Sequence, residues 1–458
     1  MGRLIAISNR TAADPSARAG GLAVAVWESL TSTGGMWFGW SGNIVEEVGP
    51  PDHIEDEGVE FVVTDFTEAE HEGFYLQYAN RVIWPVFHYR VDLAHFGDTD
   101  FDAYARVNRR IAEMVLPHLK SGDSVWVHDY HFLLMGDYLR KGGWDGPIGF
   151  FLHIPFPSPE VFRALPEHEQ IARAMCEFDV LGFQSENDRS NFVQFLVRSC
   201  DATDEGDGWI SVFGRRIRAN AYPIGIEAES FAKMSISQRA QTAASRIGKF
   251  LGGRKLVLGV DRMDYSKGLP QRFEAVGKMF DNFPSTRGRV SVTQIAPPSR
   301  SKVEEYRDLR TQLDGLAGRI NGDYGDLDWI PLRYLARSYD RRELAGLYRI
   351  AAVCLVTPLR DGMNLVAKEF VMAQDPDDPG VLILSQFAGA AEQLADTLIV
   401  NPHDRYHVAE TIYKALEMPL EERQERYQQM IGVLRRNSLL EWRRRFIEHL
   451  SQQNTDAT

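Results

Sequence analysis

The amino-acid sequence predicts two doubly wound α/β domains in tandem, each built on a largely parallel sheet. Three observations predict it. Short apolar, β-branched runs alternate with longer helical patterns along nearly the whole chain. Most of those runs are apolar throughout, as strands covered on both faces must be. The alternation then restarts near residue 235, in a chain of 458 residues that has room for two or three domains.

The first half offers strands at Arg3–Ser8, Phe61–Asp65, Ser124–His128, Ile148–His153 and Val180–Gln184. Helical patterns fill the gaps, notably Asp102–Leu119 and Pro166–Phe178. The polar stretch Asp201–Gly208 leads into Trp209–Phe213, Gly214-Arg215 and Arg216–Tyr222, which reads as a hairpin appended to this framework. A polar helix, Ser235–Phe250, ends at Gly252-Gly253 and opens the second half. Its strands are Lys255–Val260, Val290–Ala296, Trp329–Arg333, Ala351–Thr357, Val381–Ser385 and Leu398–Val400. Highly charged helices around Leu420–Ser451 close the chain, with Gln452–Thr458 expected to fray. The domains are therefore expected to span 1–235 and 236–458. Open parallel sheets bind ligands at the carboxyl ends of their strands, and two facing sheets would make a cleft.

Composition narrows the function classes. Lys and Arg number 51 against 64 Asp and Glu, a net charge of −13 that argues against a general nucleic-acid binder. A local basic pocket for a small phosphorylated ligand is not excluded by that balance. Cys176, Cys200 and Cys354 form neither a CxxC pair nor a disulfide framework and read as buried thiols. The opening apolar run is too short for a signal-peptide core, and position 6 is Ala6 where a myristoylation signal needs Ser or Thr. No stretch approaches the ~20 apolar residues of a membrane helix. A cytoplasmic protein is expected.

The most informative stretch for chemistry is Val356–Glu369. An apolar strand ends at Thr357, a turn with Pro358 and Gly362 follows, and a helix begins near Asn364. A helix start presents free N–H groups and a positive dipole end, suited to phosphate oxygens. Asp361 precedes that helix and Glu369 lies about two turns into it, so each carboxylate could meet a sugar hydroxyl. The plain alternative is a capping Asp and a solvated Glu. In Gly259–Gly268, Arg262 and Lys267 leave a strand's carboxyl end, and two cations there suit a diphosphate leaving group. Standing alone, that stretch reads better as a surface loop paired with Asp261 and Asp264. It is not a Walker loop, and the Gly20-Gly21 pair after the first strand is not a dinucleotide fingerprint.

Further polar residues sit at strand ends. His128-Asp129-Tyr130-His131 offers Asp129, and His153 follows Phe150-Phe151-Leu152. His128 and His131 lack a third ligand at metal-site spacing and read as core histidines. Aromatic residues crowd Trp37–Trp40, Phe74-Tyr75 and Val82–Tyr89; such a stripe is ordinarily core, although aromatic faces also pack on sugar rings. Arg300, just past another strand, adds a possible anion ligand. No G-x-S-x-G elbow or H-E-x-x-H helix appears, so leaving-group stabilisation is favoured over covalent catalysis.

Together these motifs resemble a known family. Ser8-Asn9-Arg10, Gly20-Gly21-Leu22, Trp37–Gly42, Trp84-Pro85, His128–His131 and His153–Pro157 closely resemble the trehalose-6-phosphate synthases of glycosyltransferase family 20. Asp261–Gly268, Gln294–Pro297, Gly318–Gly322 and Asp361–Glu369 match as well, so the resemblance runs from residue 3 to about 450. It implies a GT-B fold, two facing Rossmann-like domains with a cleft between them and a final helix crossing back to the first. It also implies metal-free transfer of glucose, with retention, from a nucleoside diphosphate glucose (UDP-glucose foremost) to glucose 6-phosphate, with no cofactor. Residue by residue, the resemblance assigns Arg10, Tyr75, Trp84, Asp129 and Arg300 to the acceptor. It assigns Gly20, Gly21, Arg262, Lys267 and the backbone of Leu365, Val366, Ala367, Lys368 and Glu369 to the donor. His153 and Asp361 would contact the transferred glucose and Glu369 the ribose; His153, Arg262, Lys267 and Asp361 form the catalytic set. Tyr339 stands where the family often has Phe near the nucleotide, which leaves the base open.

With no carboxylate nucleophile evident, a front-face reaction is expected, the leaving phosphate helping to deprotonate the acceptor hydroxyl. The nearest rival readings are a glucosylglycerol-phosphate synthase, a pseudo-glycosyltransferase on the same scaffold, or a catalytically silent sugar-phosphate sensor. Partners are expected to be the two substrates and a further copy of the chain, with neither nucleic acid nor membrane.

Overall fold

The computed structural model describes residues 2–13, 21–97, 99–300 and 303–452. The chain divides into two compact units. One comprises Met1–Pro223 and Trp442–Thr458, the other Ile224–Glu441. The division lies upstream of the expected residue 235, because the helix Ala228–Ser235 packs on the helices Arg341–Ile350 and Leu365–Ala373 of the second unit.

The first unit holds ten strands: β1 (Leu4–Arg10), β2 (Gly35–Val45), β3 (Asp52–Asp56), β4 (Val59–Thr67), β5 (Ser124–His128), β6 (Ile148–Phe151), β7 (Val180–Phe183), β8 (Thr203–Gly206), β9 (Trp209–Val212) and β10 (Arg215–Ala221). They form one sheet ordered β3-β4-β2-β1-β5-β6-β7-β10-β9-β8. The strands from β4 to β10 pair in parallel, while β3 and the β8–β9 extension add antiparallel edges. β5, β6 and β7 are short and almost wholly buried, as their unbroken apolar runs require.

In the second unit, β11 (Lys255–Val260), β12 (Val290–Ile295), β13 (Leu332–Leu335), β14 (Val353–Val356), β15 (Val381–Ser385) and β16 (Leu398–Val400) make a six-stranded sheet ordered β13-β12-β11-β14-β15-β16. All its neighbours are parallel. Counted along the chain this is the doubly wound order 3-2-1-4-5-6, with its reversal between β11 and β14. The first sheet reverses in the same way between β1 and β5.

Some elements differ from their sequence expectation for local reasons. The strand expected at Trp329–Arg333 begins at Leu332, because Pro331 has no N–H to give the ladder and offers only its carbonyl, to Val292 N at 2.8 Å. Trp329 is buried by another route, its indole N–H donating to Val290 O at 2.8 Å. The run Ile148–His153 pairs only as far as Phe151, which leaves His153 beyond the strand end. The Trp37–Trp40 stripe is the buried middle of β2. The segment His71–Ile83 is a π-helix, entered through a capping box of Thr67 and Glu70.

The last helix, Leu439–Gln452, presents Trp442, Phe446 and Leu450, one helical turn apart and all buried. Phe446 stacks on Trp126 with centroids 4.7 Å apart. It lies over Gly149 and Gly182, where an added Cβ would come within 2.7 and 2.9 Å of its ring. Phe446→Ala should therefore destabilise the first unit by about 3–5 kcal/mol, read by urea unfolding through the fluorescence of Trp126 and Trp442. A loss below about 1 kcal/mol would show that the helix is not anchored there.

Candidate active site

In the second unit the order reversal brings the loop after β11 beside the loop after β14. Leu359 N–H donates to Ser266 O at 2.7 Å. Gly268, at φ +64°, lets the chains approach so closely that a Cβ would lie 2.6 Å from Thr357 O. Beneath them Arg272, 2% exposed, donates to Asp261 Oδ2 (2.5 Å), Gln294 Oε1 (2.8 Å) and Thr357 Oγ1 (2.9 Å). One guanidinium thus ties together the carboxyl ends of β11, β12 and β14. Burial pushes the Asp261 carboxyl up, and the Arg272 charge opposes it.

On this base Lys267 Nζ donates to Asp361 Oδ2 at 2.6 Å, and Asn364 Nδ2 donates to the same oxygen at 3.0 Å. Asn364 sits at φ +72° and heads the helix Leu365–Ala373 without a side-chain cap. No acidic residue occupies that helix's first turn. The N–H groups opening the helix, at Leu365, Val366 and Ala367, are therefore not taken by a capping side chain. Arg262 is exposed on the neighbouring loop.

Farther along the helix, Glu369 accepts from Arg341 Nε (3.2 Å) and Nη2 (3.0 Å), both through Oε1. Its Oε2 makes no hydrogen bond among the described residues. Burial raises the Glu369 pKa, and Arg341 pulls the other way. Lys368 is fully buried, with Nζ held at 2.6 Å by both Ile224 O and Gln393 Oε1, so only its backbone is open to a ligand. Burial brings that ammonium down to about 7. Arg300, at φ +48°, turns inward, with Nη1 2.7 Å from Tyr306 Oη and 3.5 Å from Asp264 Oδ2. Tyr339 accepts from Arg337 Nε at 2.8 Å.

In the first unit the candidates gather at the carboxyl ends of β1, β5 and β6. The Arg10 guanidinium lies over the Trp40 ring at 4.9 Å. It occupies the space that a Cβ at Gly42 would need, 1.6 Å from Nη2. Trp40 meets Tyr75, and Tyr75 stacks on His131 at 5.8 Å and 9°. Trp84, from the turn that continues the π-helix, meets Tyr130 at 5.5 Å. Arg10 and Tyr75 thus both meet Trp40, while Trp84 packs on Tyr130. Asp129 stands at φ +74°, ψ 169°, a region costly for any residue with a side chain. Its N–H donates to Phe151 O (2.8 Å), and its Oδ1 accepts from His153 N (3.1 Å). Gly20 lies outside the described residues, and Gly21 is the first residue of the helix Gly21–Thr33.

These candidates are supported by residues whose part residue type alone does not mark. His128, fully buried, has Nδ1 3.2 Å from His153 Nε2, and Gln184 Nε2 is 3.4 Å from His153 Nδ1. From residue type His128 reads as a core histidine and Trp40 as part of an aromatic stripe, while nothing in their residue types marks Gln184, Asn364, Arg272 or Arg341. The strand-end positions of His128 and Gln184 were the available signal. Among the described residues no three His, Cys, Asp or Glu side chains gather to hold a metal ion, and no helix is long and apolar enough to cross a membrane.

Burial drives the His153 imidazole down to about 3, and burial with the neighbouring ring drives His128 well below its usual range. Both stay neutral in the fold, whereas unfolded imidazoles take a proton near 6.5. Their contribution is present above about pH 6.5 and is lost as pH falls toward 3. The melting temperature should drop over that interval, and His153→Asn should flatten the drop. An unchanged slope in the variant would contradict a buried neutral His153.

The profile of Glycosyltransferase family 20 matches residues 6–452. A trehalose-6-phosphate synthase from Cronobacter sakazakii is 45% identical over 454 residues, covering 99% of this chain and 96% of its own. The crystal structure of an alpha,alpha-trehalose-phosphate synthase (UDP-forming) from Burkholderia xenovorans in complex with glucose-6-phosphate aligns with TM-score 0.95 at 45% identity, covering 98% of this chain and 100% of that one. An E. coli structure described as trehalose-6-phosphate bound with UDP-2-fluoro glucose aligns with TM-score 0.95 at 44% identity, over 98% and 99%. The doubly wound pair of sheets is thus the fold of these enzymes, and the chain belongs to glycosyltransferase family 20.

Proposed function

We propose that the protein is a retaining glucosyltransferase that moves glucose from UDP-glucose to glucose 6-phosphate, giving α,α-trehalose 6-phosphate and UDP. The observation that carries this reading is the cluster at the reversal of the second sheet. Lys267 and Asp361 are paired at 2.6 Å beside a helix start that no side chain caps. Cation, helix N-terminus and carboxylate are the parts a sugar diphosphate needs, and the relatives named above supply the substrate identities.

In this reading Arg262, Lys267 and the N–H groups opening the helix at Leu365, Val366 and Ala367 hold the diphosphate. They stabilise the charge that develops on it as the bond from the glucose anomeric carbon to the phosphate oxygen breaks. Asp361 and His153 contact the transferred glucose, His153 as a neutral imidazole. Glu369, whose Oε1 is held by Arg341, turns its other oxygen to the ribose, and Tyr339 lies by the base. Gly20 and Gly21 are assigned to the donor by the family resemblance.

Arg10, Tyr75, Trp84, Asp129 and Arg300 hold glucose 6-phosphate. Arg300 must exchange its contact with Asp264 and Tyr306 for the phosphate. The acceptor's anomeric hydroxyl attacks the face from which UDP departs. Its proton passes to a leaving phosphate oxygen, and the new C–O bond keeps the α configuration. The reaction is placed in the cytoplasm.

Glucose 6-phosphate offered with UDP-, GDP- or ADP-glucose should be consumed fastest with UDP-glucose, the product being identified by mass and NMR. Consumption of glycerol 3-phosphate instead would favour the glucosylglycerol-phosphate alternative, and no transfer at all would favour a silent sensor. Arg262→Ala should lower turnover at least roughly tenfold; unchanged turnover would remove it from leaving-group stabilisation. Glu369→Gln should raise the donor KM several-fold, by about 1 kcal/mol of lost charged hydrogen bonding, with kcat little changed. A fall in kcat at constant KM would show that Glu369 acts on the chemistry and not on the ribose.

A further inference from the structure

A cavity of about 840 Å³ lies beside the β9–β10 hairpin of the first unit, lined by none of the residues assigned to the substrates. Four guanidiniums face it from three segments: Arg189 on the helix Glu186–Ser199, Arg216 and Arg218 on β10, and Arg445 on the last helix. Two of them are already neutralised. Arg189 pairs with Glu186 at 2.8 Å, and Arg216 donates to Glu205 at 2.8 Å while lying 4.0 Å over the Trp209 ring.

The other two are not. Among the described residues Arg218 donates to neutral amides, Gln452 Oε1 at 3.1 Å and the Asn220 oxygen, which faces its Nε at 3.2 Å once that amide is oriented by its neighbours, and it lies 5.3 Å from the Trp209 ring. Arg445, exposed on its helix, lies 6.0 Å from the Tyr222 ring and makes no ion pair among the described residues. The remaining acid at the cavity, Asp207, stands on the exposed turn between β8 and β9. In a chain carrying 64 acidic residues against 51 basic ones, two guanidiniums that line one cavity and make no ion pair among the described residues are an unspent anion-binding capacity. The adjacent His449 registers their field: its pKa is driven down to about 4, first by burial and then by Arg218 and Arg445.

We propose that this cavity is a second anion site, separate from the transfer site, which binds a small phosphorylated molecule of two or more negative charges through Arg218 and Arg445. The depression is open to solvent, so its charge and not enclosure would hold a ligand there. Its guanidinium lining selects a polar oxyanion over an apolar ligand.

Calorimetric titration with inorganic pyrophosphate tests it. The wild-type protein should bind one more equivalent than Arg218→Gln/Arg445→Gln, or bind that equivalent at least ~tenfold more tightly. Arg262→Ala should retain the equivalent, because the donor loop is not part of the cavity. The double variant should keep the wild-type melting temperature within a few degrees and its basal turnover. Should it fail to fold, Arg445→Glu alone, at an exposed position, should show the same loss. Superimposable isotherms for the wild type and the folded variant would overturn the site.

Discussion

The constraint on which the structure depends is the reversal of strand order at the centre of each parallel sheet. Connections leave β11 and β14, or β1 and β5, in opposite directions, so the loops at those carboxyl ends diverge and a crevice opens between them. Every substrate-binding candidate among the described residues except Tyr75 and Trp84 lies at or just past a strand's carboxyl end or in the turn and helix that follow. Tyr75 and Trp84 come instead from the π-helix and its continuation, which place their rings against Trp40 and Tyr130. The chemistry is thus positioned by topology first and by local side-chain packing second.

Holding polar groups at such points requires support from below and tolerates strain above. Arg272 is buried with its donors spread over Asp261, Gln294 and Thr357, and removing any partner would leave part of a charge unsatisfied. Asp129 costs roughly 1–3 kcal/mol in its backbone region, offset by its bonds to the Phe151 carbonyl and the His153 N–H. Asn364 adopts φ +72° at the mouth of the helix, where its amide holds Asp361. Strained backbone at Asp129, Arg300 and Asn364, and the buried charge of Arg272, thus stand where ligand contact is proposed.

Much of this was legible in the sequence because fully buried parallel strands announce themselves as unbroken apolar runs. β5, β7, β11, β12 and β15 were read nearly to their ends for that reason. β2 escaped because its Trp- and Gly-rich sequence looks like an aromatic stripe. The π-helix escaped because its i→i+5 bonding does not follow a 3.6-residue pattern. At the site, Arg262, Lys267, Asp361 and Glu369 stood out by residue type and strand-end placement. The pairing of Lys267 with Asp361 did not, since it joins residues far apart in the chain. Nor did Lys368's burial against Ile224 O, because a Lys at that helix position reads as solvated until the neighbouring crossover is known.

In the proposed function the second unit binds a diphosphate through Lys267, Arg262 and the helix start at Leu365. The most direct measurement is the affinity of the wild-type protein for UDP against UMP, by calorimetry at one salt concentration. A cradle for the terminal phosphate predicts that UDP binds at least ~tenfold more tightly, the contribution of one or more charged hydrogen bonds to that group. Equal affinities would mean that base and ribose alone hold the nucleotide, and would contradict the claim.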